Sequence, residues 1–264
     1  MPELPEVETV ARSIAPHIRG RRILAAEFRC PRVLRGSPDE MAAALAGRRI
    51  LGVRRHGKFL LMELAGGGYL IVHLGMTGRL LFNAEPGPHT HAILTLDRGV
   101  LLYDDPRQFG KIEVSRTLPE RVSRLGPEPL EVGFAEFAQG LRRRRTRVKA
   151  LLLDQKFLRG LGNIYADESL FRAGIHPLAV AGRLRRDRPR RLYEAIRQVL
   201  AEAIEKGGSS ISDYVDADGR KGFFQIEHRV YQRAGEPCVA CGAPIRRILV
   251  AQRGTHFCPR CQKR

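Results

Sequence analysis

The chain lacks the features that place a protein in or beyond a membrane. It has no continuous apolar run of membrane-spanning length, and its start shows no basic stretch followed by an apolar one. We therefore expect a cytoplasmic protein with no membrane partner. With 264 residues, 43% of them hydrophobic, the chain is long enough for two domains or one large one, which excludes a disordered chain.

Cysteine and lysine are both scarce. Four of the five cysteines lie between positions 238 and 261, which favours a metal site in a reducing compartment over a disulfide framework and leaves Cys30 as a structural residue. Only seven of the 46 basic residues are lysine, so 39 are arginine, the side chain suited to bidentate contact with phosphate. Base composition of the gene can also produce an excess of arginine over lysine, so this ratio does not decide function by itself.

Acidic residues are too few to balance the basic ones. The 28 Asp and Glu residues leave a formal net charge of +18 and a sequence pI near 10.6. Such a surplus indicates a polyanionic partner or an anionic surface, and nucleic acid is the leading candidate.

The first half of the chain reads as β structure. After an amphipathic helix with Leu4, Val7 and Val10 at helical spacing come short apolar or alternating segments separated by Gly, Pro and Asp turns, with one further helix over 39–45. This pattern predicts an antiparallel β-sandwich with flanking helices as an N-terminal domain over residues 1–117.

The second half is helical and ends in a small module. Pro, Glu and Gly dominate residues 118–133, which we interpret as an interdomain linker. A helical domain is predicted over 134–227 and a separate module over 228–264, so the fold class is α+β with several domains. The run Arg142–Arg145, with Arg147 and Lys149, is interpreted as the solvated basic face of one helix that adds non-specific phosphate attraction.

The C-terminal module carries the most specific local pattern. Cys238-Val-Ala-Cys241 and Cys258-Pro-Arg-Cys261 are separated by sixteen residues, the spacing of two zinc knuckles. We predict one structural Zn²⁺ per chain, bound by Cys238, Cys241, Cys258 and Cys261. Because four thiolates fill the tetrahedral site, no position is left for a catalytic water. A basic hairpin is expected between the knuckles.

The first nine residues allow two interpretations. If Met1 is removed, Pro2 becomes a terminal secondary amine, a group whose pKa of about 8 leaves a nucleophilic fraction at neutral pH. Glu3 and Glu6 lie within one helical turn and are placed to transfer protons. Proline and acids are also ordinary at a helix start, and these residues alone favour that structural interpretation.

Two later segments are also open to more than one interpretation. Leu158-Arg-Gly-Leu-Gly-Asn163 precedes a predicted helix, and its backbone N–H groups are suited to hold a phosphate, although Gly-rich helix connections are common. Residues 207–222 lack periodicity and are long for a connection, which is equally typical of a functional loop and of a disordered one.

Taken together, PELPEVE, Gly57-Lys58, HLGMTG, DDPRQFG, RGLGNIYADE and the four-cysteine module, in this order, resemble the bacterial formamidopyrimidine-DNA glycosylases, which are base-excision repair enzymes. The resemblance spans nearly the whole chain. It implies a β-sandwich, a helix-two-turn-helix domain and a zinc finger, with damaged double-stranded DNA crossing a cleft between domains. A monomer is the natural form for an enzyme that binds duplex DNA in a cleft, although the sequence leaves the oligomeric state open, and DNA binding is expected to associate the protein with the nucleoid.

The resemblance further implies a role for individual residues. Pro2 is similar to the nucleophile that attacks C1′ of the damaged nucleotide, Glu3 to its proton-transfer partner, and Lys58 to a catalytic lysine beside a phosphate; Glu6 matches another active-site position. Phosphate contacts are implied for His73, Asn163 and Arg253, and filling of the gap in the duplex for Met76, Arg107 and Phe109. The loop at 207–222 corresponds to a lesion-capping loop, and His89 and His91 receive no role.

Three functional hypotheses follow. The first is a bifunctional glycosylase and abasic-site lyase for oxidised purines, chiefly 8-oxoguanine opposite cytosine and formamidopyrimidines. The endonuclease VIII type shares the nucleophile but prefers oxidised pyrimidines, and the PELPE opening with Met76, Arg107 and Phe109 favours the purine enzyme. The third hypothesis, a zinc-dependent DNA-binding protein without catalysis, rests on the charge and the finger alone.

Overall fold

A computed structural model describes residues 1–209 and 222–264 of the chain. The chain divides into two compact units, the first formed by Met1–Arg124 with Lys206–Phe223 and the second by Leu125–Glu205 with Phe224–Arg264. Most of the loop predicted at 207–222, namely residues 210–221, lies outside the described residues. The chain therefore leaves the first unit, returns to it, and leaves it again.

The first unit is the predicted β-sandwich. Its elements are α1 (Leu4–Ile18), β1 (Ile23–Phe28), a 3₁₀ turn (Pro31–Val33), α2 (Pro38–Leu45), β2 (Ile50–His56), β3 (Phe59–Leu64), β4 (Tyr69–His73), β5 (Arg79–Phe82), β6 (Thr90–Leu96), β7 (Val100–Asp104), β8 (Lys111–Ser115) and α3 (Glu120–Ser123). The strands form two antiparallel four-stranded sheets, ordered β1-β6-β7-β5 and β2-β3-β4-β8. Buried residues from both sheets share one apolar core, which confirms the predicted sandwich.

Helix α1 closes one side of this core. Its apolar residues recur every three or four positions, so Val7, Val10 and Ile14 face inward together. The helix contacts strands β2 and β5. Pro16 lies in its last turn and does not end it, because the N–H of Arg19 still donates to Ala15 O at 3.0 Å. The burial of this face holds the start of the chain at a fixed place on the sandwich.

The second unit is helical and ends in a β-hairpin. Its elements are α4 (Phe134–Arg142), α5 (Val148–Leu153), α6 (Asn163–Arg172), a 3₁₀ turn (Ala181–Arg183), α7 (Arg188–Glu205), a second 3₁₀ turn (Phe224–Glu227), β9 (Arg246–Val250) and β10 (Arg253–Phe257). Helix α6 contacts α5, α7 and β10, so it is the element on which the helices and the hairpin meet.

The prediction of one continuous basic helix is wrong. Helix α4 ends at Arg142 and α5 begins at Val148, and the intervening carbonyls of Arg144 and Thr146 accept N–H groups of residues 182 and 181 at 2.8 and 3.0 Å. These bonds to a distant segment replace the helical pattern. Lys149 is not on a solvated face either, because it is 0% exposed and paired with Asp167.

Within the described ranges, no helix has both the length and the apolar character that crossing a bilayer requires.

Candidate active site and nucleic-acid interface

The start of the chain is buried at the N-terminus of α1. Pro2 and Glu3 are buried, whereas Met1 is 47% exposed. Glu3 is the N-cap residue and forms a capping box with Glu6, in which the Glu3 N–H donates to Glu6 Oε2 at 2.7 Å. The helix start predicted from the sequence is thus present, and it fixes Pro2 beside two carboxylates.

Glu6 also contacts a segment two hundred residues away in sequence. Its second oxygen, Oε1, accepts the N–H of Ser209 at 2.7 Å, and the Glu6 side chain is 1% exposed. Gly208 has a φ of +79°, and a Cβ there would lie 2.8 Å from Glu6 Oε1, so this close approach requires glycine. The start of α1 and the residues that lead into 210–221 are therefore held by one carboxylate.

Lys58 and His73 belong to one sheet, Lys58 in a turn and His73 at the end of β4. Lys58 occupies the two-residue turn between β2 and β3, where Gly57 has a φ of +61°, as the first position of a type II′ turn requires. Phe59, the next residue, pairs with His73 across the β3–β4 ladder, and the two rings are 5.0 Å apart. The structure thus brings together two residues implied to contact phosphate.

His73 is held as a neutral donor. The N–H of Gly75 donates to His73 Nδ1 at 3.1 Å, so the proton of the neutral ring resides on Nε2. Burial, together with the positive charges of Lys58 and Arg35, lowers the pKa of His73 to about 4. At neutral pH His73 therefore offers one N–H to an anion without carrying a charge.

Met76, Arg107 and Phe109 form an exposed group. Met76 is 39% exposed and Phe109 53% exposed, and the guanidinium of Arg107 lies 4.7 Å from the centre of the Phe109 ring. Gly75 has a φ of +62°, and a Cβ there would overlap the backbone of Phe109 and Gly110, so the two loops are in direct contact. Without the resemblance the apolar members would be taken for core residues, but the structure exposes both.

Asp105, which sequence reasoning did not single out, organises these two loops. It is 0% exposed, and its carboxylate accepts bonds from Thr77 Oγ1, from the Tyr103 hydroxyl at 3.2 Å and from the Gly110 N–H at 2.8 Å. Its carbonyl contacts His91 Nε2 at 2.9 Å, which gives that histidine a structural role. The DDPRQFG motif contained the signal, because an aspartate directly before a proline turn often orders the backbone that follows.

A basic depression of about 280 Å³ lies beside His73 and Phe109. Arg35 and Lys111 line it, and Arg121 lines it as part of an ion pair with Glu113. Arg35 was not singled out in the sequence, where it is one arginine among many. Its position next to His73 makes the first-unit surface more attractive to phosphate.

Asn163 is the first residue of α6, directly after the glycine-rich turn. Its Nδ2 donates to Gly254 O at 2.9 Å, which joins the helix start to the β9–β10 hairpin. A side-chain amide has a second N–H, which suits contact with a phosphate at a helix N-terminus. Gln155 orders the preceding turn by accepting the Gly160 N–H at 2.8 Å and donating to Leu161 O at 2.8 Å.

A buried ion pair, Lys149 with Asp167, holds the backbone of Asn163 in place. Lys149 and Asp167 are 0% and 1% exposed, and Lys149 Nζ also donates to Asn163 O at 3.2 Å. Asp167 Oδ2 accepts the N–H of His256 on β10 at 2.9 Å. One buried carboxylate and one buried ammonium thus fix both the helix start and the strand that carries Arg253.

Arg253 is exposed and follows the hairpin turn. Ala251 and Gln252, the two turn residues, have φ values of +49° and +59°, the pattern of a type I′ turn. Neither residue is a glycine or an asparagine, so the turn is strained, and such strain persists only where the surroundings impose it. The strained turn places the Arg253 side chain at the tip of the module.

The four cysteines fit a zinc ion. Their sulfur atoms all lie within 4.8 Å of one another, with Cys238 and Cys261 3.9 Å apart and Cys241 and Cys258 3.5 Å apart. Tetrahedral coordination with Zn–S bonds of about 2.3 Å requires sulfur separations of about 3.8 Å. Cys238, Cys241, Cys258 and Cys261 would therefore hold one structural zinc, which supplies rigidity to the hairpin rather than chemistry.

The candidate residues are thus divided between the two units. The first unit contains Pro2, Glu3 and Glu6 at the helix start, Lys58 in the β2–β3 turn with His73 on β4, and Met76, Arg107 and Phe109 on two loops in contact. The second unit brings together Asn163 and the hairpin that carries Arg253.

Family models match three consecutive parts of the chain. Residues 1–112 match the N-terminal domain of formamidopyrimidine-DNA glycosylase, residues 125–215 its H2TH (helix-two-turn-helix) domain, and residues 235–264 a zinc finger found in the same glycosylases and in isoleucyl-tRNA synthetases.

Full-length relatives match as well. The formamidopyrimidine-DNA glycosylase of Solibacter usitatus is 65% identical over 100% of both chains, and that of Heliobacterium modesticaldum is 50% identical over 100% of both. Among solved structures, the MutM (Fpg) protein of Thermus thermophilus superposes with a TM-score of 0.90 at 49% identity, covering 99% of this chain and 98% of that one. A Lactococcus lactis Fpg variant in complex with DNA containing Fapy-dG superposes with a TM-score of 0.92 at 40% identity, with 100% of both chains covered.

Proposed function

Because the chain belongs to the formamidopyrimidine-DNA glycosylase family, we propose that it excises oxidised purines from duplex DNA and then cleaves the strand at the resulting abasic site. The substrates proposed are 8-oxoguanine opposite cytosine and formamidopyrimidines. The observation that carries the proposal is the placement of Pro2, buried beside Glu3 at the start of α1 in a chain that matches the family over its full length.

The proposed chemistry begins at the Pro2 nitrogen once Met1 has been removed. Its lone pair attacks C1′, the glycosidic bond breaks, and the base departs with the bonding electrons and a proton. Opening of the sugar, with proton transfer by Glu3, leaves a cationic iminium between Pro2 and C1′. The iminium acidifies the adjacent C–H bonds, so β-elimination and then δ-elimination expel the two phosphates.

Removal of Met1 is part of the proposal, because an amide nitrogen at Pro2 cannot form an iminium. The 47% exposure of Met1, next to a buried Pro2, supports accessibility to a processing aminopeptidase. A chain that retains Met1 is expected to bind DNA without chemistry.

The remaining residues are proposed to hold the extruded nucleotide and the distorted duplex. Lys58, the neutral Nε2–H of His73, the second amide N–H of Asn163 and the guanidinium of Arg253 are proposed to contact phosphates. Met76 and Phe109 are proposed to replace the lost base stacking, and Arg107 to read the orphaned cytosine. Extrusion of the lesion costs a few kcal/mol, which these contacts offset.

Borohydride trapping tests the nucleophile. Reduction of the iminium should leave mature protein covalently attached to abasic-site DNA, whereas protein that retains Met1 should give no adduct. Pro2→Gly should slow the chemistry and retain DNA binding, and unchanged turnover in this variant would remove Pro2 from the mechanism. Absence of an adduct from protein whose intact mass shows Pro2 at its terminus would favour a zinc-dependent DNA-binding protein without catalysis.

Substrate preference is tested with two duplexes of the same sequence. We expect faster excision of 8-oxoguanine opposite cytosine than of thymine glycol, because of the Met76, Arg107 and Phe109 set. Faster release of thymine glycol would instead assign the chain the preference of the endonuclease VIII type.

A further inference from the structure

A second basic surface lies in the second unit, and none of its lining residues is among those proposed for catalysis or lesion binding. It is an open depression of about 820 Å³ between the α4–α5 connection and the 3₁₀ turn at Ala181–Arg183. Five arginines line it: Arg142, Arg144, Arg145, Arg147 and Arg183. We call these residues the arginine cluster.

The backbone beneath the arginine cluster is tied to the rest of the unit. Arg147 pairs with Val180 in an antiparallel bridge, and the N–H of Gly182 donates to Arg144 O at 2.8 Å. A Cβ at Gly182 would lie 2.7 Å from Arg144 O and 2.9 Å from Arg142 O, so this approach needs glycine. The guanidinium groups therefore project from a connection whose shape is fixed.

The charge of the cluster is not neutralised by the protein. Throughout the described part of the chain, no carboxylate forms an ion pair with Arg142, Arg144, Arg145 or Arg183, and the Arg147 guanidinium donates to Leu178 O at 2.9 Å. Other arginines do pair with acids, as Arg12 with Glu8, Arg159 with Glu128 and Arg172 with Glu202. An anion from outside is thus the partner that this surface lacks.

We propose that the arginine cluster is a second DNA-binding site, which contacts the phosphodiester backbone without reading bases. An extended polyanion fits better than a small anion, because exposed guanidinium groups are spread along an open depression and do not converge in an enclosed pocket. The site serves non-specific binding, in which each neutralised phosphate releases counterions. DNA as the ligand rests on the proposed function.

The test is the salt dependence of binding to an undamaged duplex. The test variant carries Arg142→Gln, Arg144→Gln and Arg145→Gln. The logarithm of its binding constant should fall less steeply with the logarithm of salt concentration, by about 2 to 3 in slope, since each phosphate that is no longer neutralised reduces the slope by about 0.9. The matched control changes Arg12, Arg124 and Arg191 to Gln. Each of these pairs with an acid four residues away, so the control removes the same three charges from elsewhere.

The outcomes separate the alternatives. Equal changes in the two triple variants would overturn the proposal, since net charge alone would then explain the affinity. No change in either would also overturn it, since the arginine cluster would then not contact the duplex. Arg→Lys changes at the same three positions should keep most of the slope, which checks that the first variant did not act through misfolding. Loss of affinity for poly-glutamate with unchanged duplex binding would assign the cluster to an acidic protein partner and also overturn the proposal.

The test does not depend on base release. Single-turnover excision at saturating enzyme should be the same in the cluster variant as in the wild type, and a slower rate would place the cluster in the catalytic machinery instead. If the wild-type protein releases no base, the proposed glycosylase activity is wrong. The salt dependence of binding to undamaged DNA still shows whether the arginine cluster binds DNA.

Discussion

At the scale of single residues, His73 shows how burial selects a protonation state. Its Nδ1 accepts a backbone N–H, its ring packs against Phe59, and two cations act on it. A charged histidine would attract phosphate more strongly, but it would cost more to bury. The structure favours a neutral donor whose strength does not change across physiological pH.

We predict that His73 does not titrate between pH 8 and about 5.5, because its pKa is lowered to about 4. Since the folded pKa lies below the ordinary value of 6.5, the stability linked to His73 is complete above pH 6.5 and falls as the pH drops towards 4. Histidine ring signals in NMR spectra, assigned with a His73→Asn variant, measure this directly. A midpoint near 6.5 for His73 would contradict it.

A second prediction concerns the buried pair of Lys149 and Asp167. Lys149→Met leaves the Asp167 carboxylate buried without its cation and should lower the free energy of unfolding by about 3 to 5 kcal/mol. The double variant Lys149→Met with Asp167→Asn should recover much of this loss, since no unpaired charge remains. Urea unfolding of the full chain gives both values, and equal losses in the single and double variants would show that the pair is not coupled.

At the scale of elements, α6 connects several parts of the second unit. Besides Asn163 and Asp167, it carries Glu168, whose side chain is 0% exposed. Glu168 accepts the N–H groups of three successive residues, 229 to 231, at 2.9 to 3.1 Å. Burial raises the pKa of Glu168, and these three donors oppose that rise. One helix therefore anchors the start of the C-terminal module, ahead of its first zinc-ligand cysteine, Cys238.

The loss of stability on substitution of Glu168 should depend on whether the new side chain keeps a hydrogen-bond acceptor. Glu168→Ala leaves three N–H groups without an acceptor and should lower the free energy of unfolding by at least about 3 kcal/mol. Glu168→Gln keeps one oxygen, Oε1 in the native arrangement, and should cost clearly less. Thermal unfolding of the two variants side by side tests this, and a similar loss in both would point to charge rather than hydrogen bonding.

The zinc module yields a prediction with an internal control. Cys258→Ser should reduce bound zinc well below one ion per chain and weaken DNA binding, because the strained hairpin loses its support. Cys30→Ser should keep the full zinc content, since Cys30 lies outside the four-cysteine group. Metal analysis and DNA titrations measure both effects, and normal zinc content in the Cys258 variant would contradict the assignment.

The sequence predicted elements whose pattern is local and missed those that depend on distant partners. Alternating strands and the α1 start follow from neighbouring residues, and the structure contains them. The break after Arg142 depends on N–H groups almost forty residues further on, and the burial of Lys149 depends on an aspartate in another helix. The roles of Asp105 and Glu168 were missed for the same reason, while the domain boundaries and the roles of the site residues stay predictions.

At the scale of the whole molecule, the chain enters the first unit twice. The second segment of this unit is Lys206–Phe223, and its first and last residues are in contact, because the N–H of Phe223 donates to Lys206 O at 2.9 Å. A Cβ at Gly222 would overlap the carbonyl oxygens of Gly207 and Gly208. The two ends of the predicted lesion-capping loop are thus joined by backbone contacts among described residues.

Deleting residues 210–221 and joining Ser209 to Gly222 should therefore leave the fold intact. Shortening a closed loop changes its closure entropy by only about 0.6 kcal/mol per factor of two in length. We expect nearly unchanged thermal stability and abasic-site binding, with slower excision of 8-oxoguanine if the loop caps the lesion. A Gly/Ser replacement of equal length separates the effect of side chains from that of length, and full 8-oxoguanine activity in the deletion variant would contradict lesion capping.

The two hydrogen bonds of Glu6 have a thermodynamic consequence for the whole chain. The Glu6 carboxylate accepts the N–H of Glu3 near the terminus and the N–H of Ser209 near the loop. The terminus and the segment at Ser209 are therefore coupled through one side chain. Coupling between sites is reciprocal: the free energy by which ordering of the segment at Ser209 stabilises the terminus equals the free energy by which ordering of the terminus stabilises that segment. Part of the binding energy gained at the loop is thereby available to hold Pro2, the proposed nucleophile, in place.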